Sequence, residues 1–327
     1  MTPKPSFEVP KGAAAKVHII DSGFRLSGMP TNFLLSPEMD KFDEVPPVGS
    51  WFFLVESSTG RKVLFDLGGL SNVGSFPPSV VAVIEDGVEL THVESVIWSH
   101  GHWDHVGDIE AVPPATGLVV GPGFKDEFLP GYPTKQHVEL PERYFKSRNV
   151  QEIEFVPGQS CLRICDFAAL DFFGDGSFFL LNTPGHAVGY LSGLARTTTN
   201  PETFVFMGCN ICHHGAKIRP SNNLSIPAEI HLTPSGKEMS YPDGALFRAL
   251  NIRWDRKPNE PFFDPVLAID LPRTIKTIKD AQKVDGQDNV LFVFAHDMGV
   301  CGVVDFFPKS VNNWKKECWK EKTHWNF

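Results

Sequence analysis

Short apolar runs recur along the chain, each closed by small or polar residues: 17–20, 51–55, 63–65, 96–98, 178–181, 204–207 and 290–294. They are three to five residues long and rich in Val, Ile and Phe. Such runs predict strands buried on both faces better than they predict helices. Gly60 lies between two of them and predicts a hairpin. Residues 79–86 read as a helix, and a second helix start is expected near Asp104. Three Pro- and Gly-rich segments interrupt the pattern, at about 24–49, 112–141 and 220–265. Loops of that length in a compact domain are functional or disordered. Phe24, Phe33, Phe42, Phe124, Phe128, Tyr132, Tyr241, Phe247, Trp254, Phe262 and Phe263 make them too aromatic for disorder, so they are read as packed pocket walls.

The chemistry stands where the runs end. Behind 96–98 comes Ser99-His100-Gly101-His102-Trp103-Asp104-His105, with four metal-competent side chains within six residues. His100 and His102, two apart in an extended turn, can address one ion, while Asp104 and His105 turn toward a second beside it. Asp66 follows 63–65, His186 follows 178–181, Cys209 and Asn210 follow 204–207, and His296 follows 290–294. Side chains at the ends of neighbouring strands converge at one sheet edge, where strands hold donors rigidly and loops shape a pocket.

The H-x-H-x-D-H stretch, with Leu64-Phe65-Asp66-Leu67-Gly68, Thr183-Pro184-Gly185-His186, Phe206-Met207-Gly208-Cys209-Asn210 and Phe294-Ala295-His296-Asp297, resembles the metallo-β-lactamase superfamily, lactonase-like branch. The resemblance runs from about Val17 to Asp297 and implies an α/β fold, an αββα sandwich of two mixed sheets with helices outside. It also implies two metal ions, most often Zn2+, with His100, His102 and His186 on one and Asp104, His105 and His296 on the other. Iron and manganese are the other ions such donors accept. In the family an acidic residue bridges the pair, and the matching position here is Asn210. A neutral oxygen does not offset two dications, so the second ion is expected to bind more weakly.

Cys209 offers a thiolate as an alternative donor, but neighbours on a strand face opposite ways, and it is read as a packed thiol. Asp66 is expected to orient a ligating histidine by accepting its free N–H. Cys209-Asn210-Ile211-Cys212-His213 also spells C-x-x-C-H, the haem-attachment pattern, which the absence of an export signal disfavours. His213 and His214 are expected at the pocket mouth.

A dinuclear site of this kind would produce hydroxide at pH 7 and polarise a carbonyl, with Asp104 taking and returning a proton. The expected activity is hydrolysis of a lactone, ester or thioester of an apolar or aromatic small molecule. The rival, raised by Asn210, is a non-hydrolytic Lewis-acid step such as elimination, C–C cleavage or rearrangement in a biosynthetic pathway. A vestigial metal fold that only binds is a third class, but it leaves an intact donor set, costly to bury, without use.

Composition narrows the partners. The 327 residues carry a net charge of -9, which speaks against a nucleic-acid partner. The basic clusters Lys315-Lys316 and Lys320-Glu321-Lys322 read as a solvated helix face. No apolar run approaches the ~20 residues that span a bilayer, so no membrane contact is expected, and six irregularly spaced cysteines suit a reduced cytoplasmic setting. Donors spread from His100 to His296 argue for one domain over 1–327. The tail tryptophans Trp314, Trp319 and Trp325 are expected to pack on that domain. Nothing in the sequence fixes an oligomeric state.

Overall fold

The computed structural model describes residues 6–69, 90–156, 158, 161–232, 239–241 and 244–326. The helix expected over 79–86 lies outside them. In chain order the strands are β1 (Lys16–Leu26), β2 (Leu35–Ser36), β3 (Val48–Glu56), β4 (Lys62–Phe65), β5 (Ser95–Ile97), β6 (Gly117–Val120), β7 (Val150–Glu152) and β8 (Leu162–Ile164). They continue with β9 (Phe167–Asp171), β10 (Phe178–Asn182), β11 (Leu191–Thr199), β12 (Glu202–Met207), β13 (Ile230–Leu232), β14 (Met239–Tyr241), β15 (Asp264–Pro265) and β16 (Val290–Val293).

Two six-stranded sheets carry the fold, ordered β1-β3-β4-β5-β6-β7 and β16-β12-β11-β10-β9-β8. Both are mixed: β1, β3 and β4 pair antiparallel while β4 to β7 run parallel, and β12 pairs parallel with β16 in an otherwise antiparallel sheet. The period-2 alternation of side chains explains the layering. Trp51, Phe53 and Val55 face the second sheet with Val63, Phe65, Ile97 and Val119, whereas Phe52, Leu54, Leu64, Val96, Trp98, Leu118 and Val120 face an outer layer. Ile109, Phe124, Leu140, Tyr144 and Phe145 complete that layer. On the other side the helix Leu271–Asp285 packs Ile278, Ala281 and Val284 against the second sheet. This is the two-sheet α/β sandwich that the resemblance implies. Trp314 and Trp319 are buried in its central core.

The three segments read as loops differ from expectation. Residues 112–141 contain β6, an inner strand of the first sheet, and the helix Phe124–Phe128. The strand was hidden because it is only Gly117-Leu118-Val119-Val120, bracketed by Pro113-Pro114 and Gly121-Pro122, so that composition reads as turn. Residues 24–49 and 220–265 lean on each other: β2 pairs with β15, and Leu34, Leu35, Val45 and Val48 share a core with Ala216, Ile226, Phe262 and Phe263. Phe42 and Trp254 fold into that core, and Phe124 packs under Trp98, so most of the loop aromatics serve packing.

Candidate metal centre

Register sets the site. Phe65 pairs with Ile97, so Asp66 and Ser99 leave parallel strands together, and Asp66 N–H donates to the Ile97 carbonyl. Met207 pairs with Val293, which brings Asn210 and His296 out at the same edge. Ser99 O accepts from Leu191 N–H, tying the first sheet to the loop that carries His186. That loop is clamped at Gly185, with φ +135°, where an added Cβ would stand 2.5 Å from the Thr274 backbone nitrogen.

Two donor clusters result. His100, His102 and His186 form one, Asp104, His105 and His296 the other, each with ligand-capable atoms within 4.8 Å of one another. On four of the five histidines the ring nitrogen facing away from its centre is tied off. His105 Nδ1 donates to Asp66 Oδ2 at 2.7 Å, His296 Nδ1 to Gly49 O at 2.7 Å, and His186 Nδ1 to Leu267 O at 3.3 Å. Ser99 Oγ donates to Asp66 Oδ2, so His100 Nδ1 donates to Ser99 Oγ at 2.9 Å. The opposite nitrogens are thereby left to point inward. His100 Nε2 and His186 Nε2 both face His102 Nδ1, at 3.0 and 3.2 Å. Three imidazole nitrogens meet where one proton can serve only a single pair. His105 Nε2 is buried without a hydrogen-bond partner, and Asp104 Oδ2 lies 3.6 Å from it and 3.3 Å from His296 Nε2. Imidazole and carboxylate donors converging with no other partner fit divalent metal ions.

The electrostatics agree. Burial, and then the neighbouring imidazoles, hold His100 and His186 well below the ordinary histidine value, so both are neutral donors. Burial opposes ionisation of Asp104, but His105 and His296 overcome it and hold the carboxyl well below the usual range. Burial also works against a charged His105, yet Asp104 and Asp66 raise it, so a proton competes for the position a cation would take.

Asp66 stands behind the centre. Its backbone is left-handed at φ 63°, its carboxylate accepts from Ser99 N–H and Oγ as well as His105, and it is 1% exposed. The strand ends at Met207, so the opposite-face rule no longer governs Cys209 and Asn210. Cys209, at φ 45°, is buried, and its thiol lies with Asp66 and His105 in a third donor group. Burial pushes that thiol well above its usual pKa. Asn210 instead lines the pocket, and its buried Oδ1 makes no hydrogen bond.

The pocket over these donors has a volume of about 300 Å³. Phe24, Leu26, Met29, Phe33, Leu34 and Val48 from the first loop segment give it an apolar wall, Trp103 and Leu267 continue it, and Glu139 enters from 112–141. None of the described residues of 220–265 belongs to that lining; several wall a separate cavity shared with Lys217 and the helix Leu271–Asp285. His213 lines the metal pocket, whereas His214 is turned into the turn Gly215–Lys217, which it caps by accepting from Ala216 N–H at 3.2 Å. Ser99 and Lys217 carry site contacts that sequence reading missed. Ser99 had a signal, its place directly before His100; Lys217, a single lysine between Gly215-Ala216 and Ile218, had only its apolar surroundings.

Comparison with known proteins points the same way. The profile of the metallo-beta-lactamase superfamily matches residues 45–195. "Gamma-lactamase FDB1" of Fusarium pseudograminearum (strain CS3096) is 37% identical over 338 residues, covering 95% of this chain and 81% of that protein. "Cytochrome P450 monooxygenase mpaDE" of Penicillium roqueforti (strain FM164) is 35% identical over 340 residues; the match takes in 97% of this chain but only 37% of that longer protein. Among solved structures, a quorum-quenching N-acyl homoserine lactone lactonase superposes with a TM-score of 0.55 at 17% identity, covering 91% of this chain and 98% of its own, a likeness of fold.

Proposed function

We propose, from the premise that this chain belongs to the metallo-β-lactamase superfamily and is a hydrolase of that kind, that it opens a cyclic or activated acyl bond in a small apolar or aromatic molecule. Lactones, esters and thioesters are the substrates its donor set suits, and the γ-lactam named for one relative extends the range to a cyclic amide. The observation that carries the reading is the pair of adjacent donor clusters in which four of five histidines have the outward ring nitrogen tied off.

His100, His102 and His186 would hold one divalent ion, and Asp104, His105 and His296 a second, zinc being the family's usual ion. When bound, such ions supply Lewis acidity and lower the pKa of water. The chain's own residues do the rest. Asp66 and Gly49 O fix the rings of His105 and His296. Asp104, ionised at neutral pH and half in the pocket wall, accepts a proton and hands it on. Phe24, Phe33 and Trp103 exclude water from one side of the reacting group and hold its apolar body.

The test is a panel of aryl and acyl lactones, γ-lactams, esters and thioesters, assayed with zinc-loaded protein and with the His100→Ala variant. Turnover of at least one member, lost in the variant, is expected; no turnover of any would sink the reading. Asn210 favours a second reading, since its unpartnered neutral oxygen lines the pocket at the position that the resemblance assigns to a bridging carboxylate. In that case one ion acts as a Lewis acid in a non-hydrolytic rearrangement or elimination, and purified protein would carry a single ion per chain.

A further inference from the structure

Glu139 lines the metal pocket and makes no hydrogen bond or ion pair with another described residue. Its two neighbours hold it there. Val138 and Leu140 are buried while Glu139 between them is exposed, so the carboxylate is turned out of the core on a backbone anchored in it. The Leu140 carbonyl accepts from Tyr132 N–H at 2.9 Å. The Leu140 side chain lies with Phe128 against Gly101, where an added Cβ would stand 2.9 Å from Phe128 Cζ and 3.3 Å from Leu140 Cδ1. Position 139 is thereby fixed beside the turn that carries His100 and His102.

Two carboxylates line this pocket, and they differ in employment. Asp104 faces the imidazoles of its own donor cluster, 3.3 Å from His296 Nε2 and 3.6 Å from His105 Nε2, whereas Glu139 belongs to neither cluster. Much of the remaining wall is apolar, with Phe24, Phe33, Trp103 and Leu267 in it. A ligand that fills such a cavity displaces water from the Glu139 carboxylate. A purely apolar ligand puts nothing in its place, which is costly, while an O–H or N–H aimed at the carboxylate makes a charge-assisted hydrogen bond instead. We infer that Glu139 is a specificity residue that accepts a hydrogen bond from the substrate. The preferred substrate then carries a hydroxyl or N–H outside the acyl bond that is cut, on the side of the three-histidine cluster. This rests on the acyl-hydrolase reading above. Glu139 makes and breaks no bond; it selects which apolar acyl compound is held.

Matched pairs of aryl lactones test it on the zinc-loaded full chain: dihydrocoumarins hydroxylated at each free ring position, each beside its methyl ether. In wild type, at least one hydroxylated member should exceed its ether by about tenfold or more in kcat/KM, the contribution of a hydrogen bond to a carboxylate, with the difference mainly in KM. Glu139→Ala should erase that preference, and Glu139→Gln, which keeps a carbonyl acceptor, should retain part of it. A residue that only shaped its loop would lower both members of a pair alike and leave their ratio where it was. Calorimetric titration of the same pairs reads the preference without turnover: the hydroxylated member should bind wild type about tenfold tighter than its ether, and Glu139→Ala no tighter. Turnover with no preference in any pair, or a preference that survives Glu139→Ala, overturns the inference and leaves the hydrolase standing. If wild type turns over nothing, the hydrolase reading fails and the titrations still decide, because equal or undetectable binding of both members overturns the role of Glu139.

Discussion

Replacing Lys217 with methionine should make the protein more stable, by an amount that depends on pH. The folded chain holds the ammonium at a pKa of about 7 against an ordinary 10.5, because burial disfavours the charged form. At 1.36 kcal/mol per pH unit that gap is a folding penalty of roughly 4–5 kcal/mol below pH 7. Between 7 and 10.5 the unfolded chain binds a proton that the native state does not, so wild-type stability rises with pH; by pH 9 about 2 kcal/mol of penalty is left. Methionine keeps the apolar stem and gives up one hydrogen bond to His213, about 1 kcal/mol. Lys217→Met is therefore expected to gain roughly 3–4 kcal/mol at pH 6 and about 1 at pH 9, read from urea unfolding at each pH. The groups nearest the ammonium do not titrate in this window: burial and Lys217 hold His213 far below its usual value and His214 at about 4, while burial pushes Cys212 up to about 12. Bound metal cations would push Lys217 further the same way. A variant less stable than wild type at pH 6, or a difference that does not shrink toward pH 9, would refute the account.

Other outcomes follow from the same geometry. Asn210→Asp should tighten the second ion by about tenfold or more in a chelator competition, since it restores one negative charge beside it; unchanged affinity would mean that Asn210 is not at the bridge. Asp66→Asn should weaken metal binding by about 10- to 100-fold through a mis-set His105 ring, with circular dichroism unchanged. Trp103→Ala and Phe33→Ala, both half exposed on the pocket wall, should raise KM several-fold and spare kcat if they only hold the substrate. Arg219→Ala should cost about 3–5 kcal/mol, because it strands the Asp285 carboxylate that accepts two of its hydrogen bonds in the core. Against the cost of burial, Arg219 and His324 hold that carboxyl well below its ordinary value. Its contribution is therefore present above about pH 4 and lost on further acidification, visible as a falling unfolding midpoint in acid.

The strands that position the site were legible because each is apolar on both faces and is soon closed by small or polar residues. β10, β12 and β16 could be found that way. The edge strands β7 and β8, three partly exposed residues each, and β6, four residues set between prolines and glycines, could not, since runs so short carry no periodic signal. The long helix Leu271–Asp285 went unread although Asp270 caps it, a proline stands in its first turn, and Thr274, Ile278, Ala281 and Val284 line one face. For the site, spacing pointed to donor types, but only register and tautomer show which nitrogen each ring offers. Lys217 was beyond reach, because what singles it out is a contact with a histidine four residues away inside an irregular turn.

Charge is the remaining issue at the centre. Of the six side chains in the two clusters, five are imidazoles that bind metal as neutral donors, and Asp104 alone is anionic. Two divalent ions there would meet one formal negative charge in the clusters and a second, Asp66, reached through the His105 ring and, by way of Ser99 Oγ, through His100. A carboxylate at position 210, where the resemblance implies the bridge, would have made the balance one charge better. The buried, unpartnered Asn210 oxygen still offers a lone pair, so coordination there does not need the charge, only more ligand field from its neighbours. The consequence is an asymmetric pair. The three-histidine cluster, complete without Asn210, should fill first, and the Asp104 cluster should fill only as protons leave His105, which Asp104 and Asp66 hold above its ordinary value. Occupancy of the second ion should thus rise with pH in a way that the first does not, and a two-step uptake of zinc, followed by elemental analysis across pH 5 to 8, would reveal it; simultaneous filling at every pH would show that the neutral bridge costs the centre nothing.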